Sequence, residues 1–241
     1  MNQNLQAPNN DEQHRFKPSK PDGRVSVSSE RSQYDLDDAM DNSTPHLKTY
    51  GFYNAGWHMD TKICDEDKNV IYFSETHDWS SAPDVVLHQG VDKQAPIIAV
   101  AHFRYSQDLK LGLGDSDASE KDMIWEDLKN ATTWRLGHSK YRFEMTINHE
   151  RRSFLWQRTR DAADGVHGVD KMGDANYRLV DEGTGEVLAV YLDNGFKSWR
   201  KTGKLQFKGD LGKDWELMVL IGCLGLCEKG RRRGSANAAG G

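Results

Sequence analysis

The chain of 241 residues is 37% hydrophobic and 29% charged, with 37 acids against 32 lysines and arginines. A net charge of −5 argues against whole-domain attraction to nucleic acid, which rests on a basic face. Three cysteines, Cys64, Cys223 and Cys227, are too few and too odd in number for a disulfide framework and suit a reducing compartment.

Residues 1–46 are dominated by Asn, Gln, Ser, Asp, Lys and Pro. Such a segment cannot offset its ordering entropy by burial, so the sequence predicts a disordered arm. It lacks the apolar core of a secretory signal and the Arg-rich, acid-poor character of a transit peptide, which predicts a cytoplasmic protein, peripheral to a membrane or nuclear. The folded domain is expected over residues 47–233, with a flexible tail at 234–241.

From Tyr50 onward short apolar or alternating runs are separated by turn residues. Trp57 to Ile63 and Val70 to Phe73, around the polar turn Asp65 to Asn69, predict a hairpin. Pro96 to Tyr105 is a β-rich run opened by a proline. Leu109 to Leu113 alternates, and Met123 to Leu128 is ambiguous in type. Thr133 to Leu136 and Tyr141 to Ile147 are further strand candidates, the latter with Tyr141, Phe143, Met145 and Ile147 on one face. Ser153 to Thr159 follows. Tyr177 to Val180 and Glu186 to Tyr191 predict a hairpin whose loop draws positive φ from Gly183 and Gly185. A last short strand is expected at Leu205 to Phe207. Strands so numerous point to a sandwich or a barrel.

One segment breaks the pattern. No polar residue interrupts Leu217 to Cys227, so a helix there has no face for water and must be surrounded. A membrane span needs about 20 apolar residues, and this run is shorter, which favours a buried core helix. The helix is predicted over Asp214–Glu228, with Asp214 as N-cap, Glu216 in the first turn, and Gly230 as the left-handed residue that ends it. Gly222 and Gly225 cost about 1 kcal/mol each in a helix, which predicts close approach of neighbouring side chains there.

A many-stranded domain ending in WELMVLIGCLGLCEKGRRR resembles the tubby C-terminal-like superfamily: tubby proteins, phospholipid scramblases and plant LURP-one-related proteins. It is more like fungal members of that group than like tubby itself. The resemblance covers about Tyr50 to Arg233 and rests on layout, not on a catalytic motif. It implies a mainly β fold, a closed antiparallel barrel of about twelve strands around a central hydrophobic C-terminal helix. It also implies phosphoinositide binding or action at membranes.

Among candidate sites, Lys197, Arg200, Lys201 and Lys204, with Phe196 and Trp199 between and Lys208 and Lys213 beyond, form the best patch for a phosphorylated headgroup. A solvated turn explains the same run more plainly. Arg151, Arg152, Arg158 and Arg160 read as an exterior strand edge, and Arg231 to Arg233 as complements of the helix dipole. Cys223 and Cys227 share a helical face without further ligands at zinc spacing, so they read as small apolar residues and no metal or cofactor is expected. The acidic loop Asp161 to Asp170 lacks EF-hand spacing. No HExxH, GxSxG, P-loop or dinucleotide motif is present, and no catalytic residue is assigned.

These observations lead to a non-enzymatic domain binding anionic phospholipid or a protein partner at a membrane surface, without a transmembrane span or nucleic-acid partner. The alternatives are a small-molecule-binding barrel, disfavoured because a core helix would occupy its cavity, and a hydrolase with dispersed acids.

Overall fold

A computed structural model of the chain describes residues 47–239, apart from 57–58, 79–81, 105–106, 116–119, 134–137, 168–174, 196–197 and 199. The disorder expected of residues 1–46 falls outside that range, as do Trp57, His58, Phe196, Lys197 and Trp199.

Twelve antiparallel strands close into a barrel in chain order: β1 (Lys48–Asn54), β2 (Thr61–Cys64), β3 (Val70–Thr76), β4 (Val85–His88), β5 (Ile97–Phe103), β6 (Leu109–Leu113), β7 (Ile124–Asn130), β8 (Lys140–Ile147), β9 (Glu150–Arg158), β10 (Tyr177–Asp181), β11 (Val187–Asp193) and β12 (Lys201–Phe207). Each strand pairs with the next, and β12 returns to pair with β1, so no edge is left open. One helix, α1 (Lys213–Ala239), threads the barrel.

Side-chain alternation builds the wall. Along β8, Tyr141, Phe143, Met145 and Ile147 point inward and Lys140, Arg142, Glu144 and Thr146 outward. The turn to β9 is made by Asn148 and His149, both at positive φ, the backbone that a two-residue hairpin loop needs. In the β10–β11 loop Gly185 has φ +76°, but Gly183 lies outside the left-handed region; its amide donates to Asp181 Oδ1 instead. β4 and β11 are buried on both faces because their outer sides are covered: Val86 packs with Val100 and Met123, and Val190 and Leu192 pack with Val166.

The strand expectations need correction at four places. β1 and β4 are strands that sequence patterning did not pick out, and the ambiguous Met123–Leu128 region is β7. The strand expected at Thr133 to Leu136 is absent at Thr133, and residues 134–136 lie outside the described range.

α1 is longer than its apolar run. Trp215 and Leu217 to Leu226 are buried inside the barrel. Gly212, not Asp214, precedes the first turn; its carbonyl accepts from the Glu216 amide at 3.0 Å. Asp214 is within the helix. At the other end Gly230 does not stop the helix, which continues through 234–239, where a flexible tail was expected. The reason is local pairing: Glu228 binds Arg231 at 2.6 Å and Arg232 at 2.7 Å across one turn, and Arg232 also reaches Asp84 at 2.7 Å. These contacts offset the glycine cost of about 1 kcal/mol. Among the described residues no helix is long and apolar enough to cross a membrane.

The two rims differ. At the entry rim, where α1 begins, Glu216 accepts from Lys48 at 2.8 Å, from Lys213 at 2.9 Å and from the Tyr50 hydroxyl, and Lys213 also bonds the Tyr72 hydroxyl. At the exit rim α1 emerges beside the ends of β3, β5 and β9, where Lys229 donates to the Gln107 carbonyl and Arg232 to the His77 carbonyl.

Candidate functional site

α1 does not fill the barrel evenly. It lies against β4, β5 and β6. A Cβ on Gly225 would stand 2.7 Å from Leu109 Cδ2 and 3.6 Å from Ala101 Cβ, so helix and wall approach at that face as closely as a missing side chain allows. Gly222 sits at ordinary contact, 3.4 Å from Leu111 Cδ1, so the predicted close approach holds at Gly225 and not at Gly222.

On the other side of the helix a cleft of about 1030 Å³ opens toward the exit rim. Its walls come from β1 (Phe52, Asn54), β2 (Thr61), β3 (Ser74, Thr76), β10 (Tyr177) and β11 (Tyr191, Asp193), and from the helix face bearing Leu224, Cys227, Arg231 and Gly234. Those helical positions are spaced three and four apart, as one face requires. The inner part is mainly apolar, with the buried Ser74 in its wall, and the mouth is charged.

At that mouth three cations, Arg158, Lys229 and Arg233, act on His138. Arg158 ends β9 and pairs in register with Tyr177, its guanidinium 5.9 Å from the ring centre. Arg233 and His138 line the cleft beside it. Lys229 stands one helical turn below Arg233, 5.7 Å from the Tyr141 ring centre. His138 Nδ1 lies 2.7 Å from the Tyr141 hydroxyl.

Burial, then the charges of Arg233, Lys229 and Arg158, push the His138 imidazole down to about 4, so it is neutral at pH 7. Burial and Arg233 likewise push the Lys229 ammonium down to about 8, against the pull of Asp108. Burial raises the Tyr141 and Tyr177 hydroxyls although Arg158 and Arg233 oppose it.

Three acids line the cleft, Asp60, Asp193 and Glu228, and two of them hold structural partners. Glu228 holds Arg231 and Arg232, which in turn reach Asp78 and Asp84, and Asp60 Oδ1 accepts from the Thr76 amide at 3.3 Å. Among the described residues no carboxylate pairs with Arg233, and its buried Nε has no acceptor. Burial is the larger cause of both shifts and the neighbouring cations add to it; an anion among those cations would relieve their part.

The sequence-predicted patch is only partly assembled. Arg200 and Lys201 stand at the exit rim, where the Arg200 carbonyl accepts from the Asn54 amide at 2.7 Å. Lys204 sits farther along the outer wall, paired in register with Gly51 and Leu192. Lys197 is outside the described residues. Lys208 and Lys213, read as a continuation, belong to the opposite rim, because β12 runs the length of the barrel between them and Arg200.

The arginine-rich strand divides by face. Arg151 points outward to Glu126 and Glu144, as an exterior edge would. Arg158 does not: Phe154 and Trp156 are fully buried, and two more residues return the chain to the same inner face. Nor do Arg231, Arg232 and Arg233 complete a helix end; they lie within α1, two of them bound to acids and the third in the cleft. Cys223 is buried, Cys227 lines the cleft, and among the described residues no cluster of three or more His, Cys, Asp or Glu could hold a metal.

No family model matches the chain. No curated protein matches it. Among solved structures, the X-ray structure of a protein from Arabidopsis thaliana matches over 74% of this chain and 90% of that one, with 8% identity and a TM-score of 0.46.

Proposed function

We propose that this is a non-enzymatic, tubby-like binding domain that takes anionic phospholipid headgroups, phosphoinositides among them, with its exit rim against a membrane surface. The observation that carries this reading is the convergence of Arg158, Lys229 and Arg233 beside a neutral His138 at the rim that also bears Arg200 and Lys201. Arginine suits phosphate because its planar fork donates two parallel hydrogen bonds. The commitment of Glu228 and Asp60 to structural partners supports a binding role over hydrolysis. Co-sedimentation with phosphatidylcholine vesicles, with and without phosphatidylinositol phosphates, tests it. Binding is expected only to the anionic vesicles, weakening with salt and falling severalfold in the triple variant Arg200→Ala, Lys201→Ala, Lys204→Ala. Equal sedimentation with neutral vesicles overturns the headgroup reading.

A second reading, a small-molecule-binding barrel, gains support from the cleft itself. The objection that a core helix occupies the cavity loses its force once α1 packs to one side.

A further inference from the structure

A headgroup reader needs only its rim, yet this rim opens into a much larger space. The cleft, at about 1030 Å³, is at the upper end of the range for pockets that enclose a small molecule. Its polarity changes along its length. Phe52, Leu224 and Leu226 stand inward, while Arg158, Arg233 and His138 stand at the mouth. On α1 the change occurs within about two turns, from Leu224 to Arg231, and on β1 from Phe52 to Asn54. A phosphate or carboxylate alone would satisfy the mouth and leave the apolar walls facing water. A neutral apolar molecule would fill the walls and leave Arg233 without an acceptor.

From this gradient we infer that the cleft takes one whole amphiphilic anion, its phosphate or carboxylate head on Arg158 and Arg233 and its apolar body between α1 and β1. This goes beyond the membrane-surface reading, because the ligand leaves the bilayer or arrives as a dissolved monomer. Cys227 is the internal reporter. It lines the cleft, whereas Cys64 and Cys223 are buried, so alkylation by N-ethylmaleimide is expected at Cys227 and an occupant should shield it.

The test uses the full wild-type chain with four probes: oleoyl lysophosphatidate and oleate below their micellar concentrations, inorganic phosphate as the head alone, and monooleoylglycerol as an uncharged body. Native mass spectrometry should show one lysophosphatidate or oleate per chain. Cys227 alkylation, read by peptide mapping, should slow at least tenfold with these and hardly with inorganic phosphate. The variant Arg158→Gln, Arg233→Gln, checked for fold by circular dichroism, should bind the charged amphiphiles at least tenfold more weakly. No 1:1 adduct, equal protection by inorganic phosphate, or equal affinity for monooleoylglycerol overturns the inference. Its failure and that of the membrane reading are separable. Vesicle binding without a monomeric adduct removes only the cleft proposal, and a monomeric adduct without vesicle binding removes only the surface reading.

Discussion

Glu216 joins the barrel wall to its core helix. Burial alone raises its carboxyl, but donors from Lys48, Tyr50 and Lys213 outweigh that and hold it below the ordinary carboxylate range. A carboxyl depressed in the fold contributes stability that is complete above its unfolded value, about 4.3, and is lost as pH falls through the lower folded value. Asp181 is depressed too, its burial outweighed by Arg152 and the Gly183 amide, and Glu182 is depressed mainly by Arg142. Urea unfolding should therefore show stability falling as pH drops below about 5. Glu216→Gln should reduce that slope and cost about 1 kcal/mol at pH 7. An unchanged slope in the variant would show that the entry-rim cluster contributes nothing to folding. At this scale the site was partly legible: the inward parity of Phe154 and Trp156 points to Arg158, but Arg151, which does face outward, masked it.

At the scale of elements, the glycines of α1 decide where the helix lies. Gly222→Ala places a methyl at ordinary contact distance and removes a helix penalty, so it should stabilise by about 0.5–1 kcal/mol. Gly225→Ala forces Leu109, which is fully buried, to move, and overpacking of about 1–3 kcal/mol should outweigh the same gain. Thermal unfolding of both variants checks the contrast; two equal shifts would contradict the leaning helix. Elements whose period shows on one face were readable: β8 by strict alternation, β5 and the β10–β11 hairpin by β-branched and aromatic runs, α1 by an apolar stretch with no polar break. β7 was not, because Leu128 alone among its residues is fully buried, and its position is set by pairing with β6 and β8. The last turns of α1 were hidden because they are held by Glu228 and by acids distant in sequence, not by hydropathy.

For the whole molecule, barrel and helix form one cooperative unit, since the inner faces of the strands have α1 as their common partner. Deleting the chain from Asp214 onward should abolish folding, seen as loss of the β signature in circular dichroism; a folded truncated barrel would show that the wall is stable alone. The cleft itself could not be read from residue patterns, because it arises from the off-centre packing of one element against the closed sheet. The account depends most on the cationic mouth of that cleft, where Arg158 of β9 and Lys229 and Arg233 of α1 act on His138, which lies against Tyr141 of β8, with Tyr177 of β10 and Asp108 acting on Tyr141. Titration of the His138 ring by NMR reads that field as a change on top of the larger effect of burial. In the free protein it should titrate near 4, and it should move up in Arg233→Met and when oleoyl lysophosphatidate is bound. An ordinary value near 6.5 in the free protein, unmoved by the substitution or by the ligand, would contradict the account.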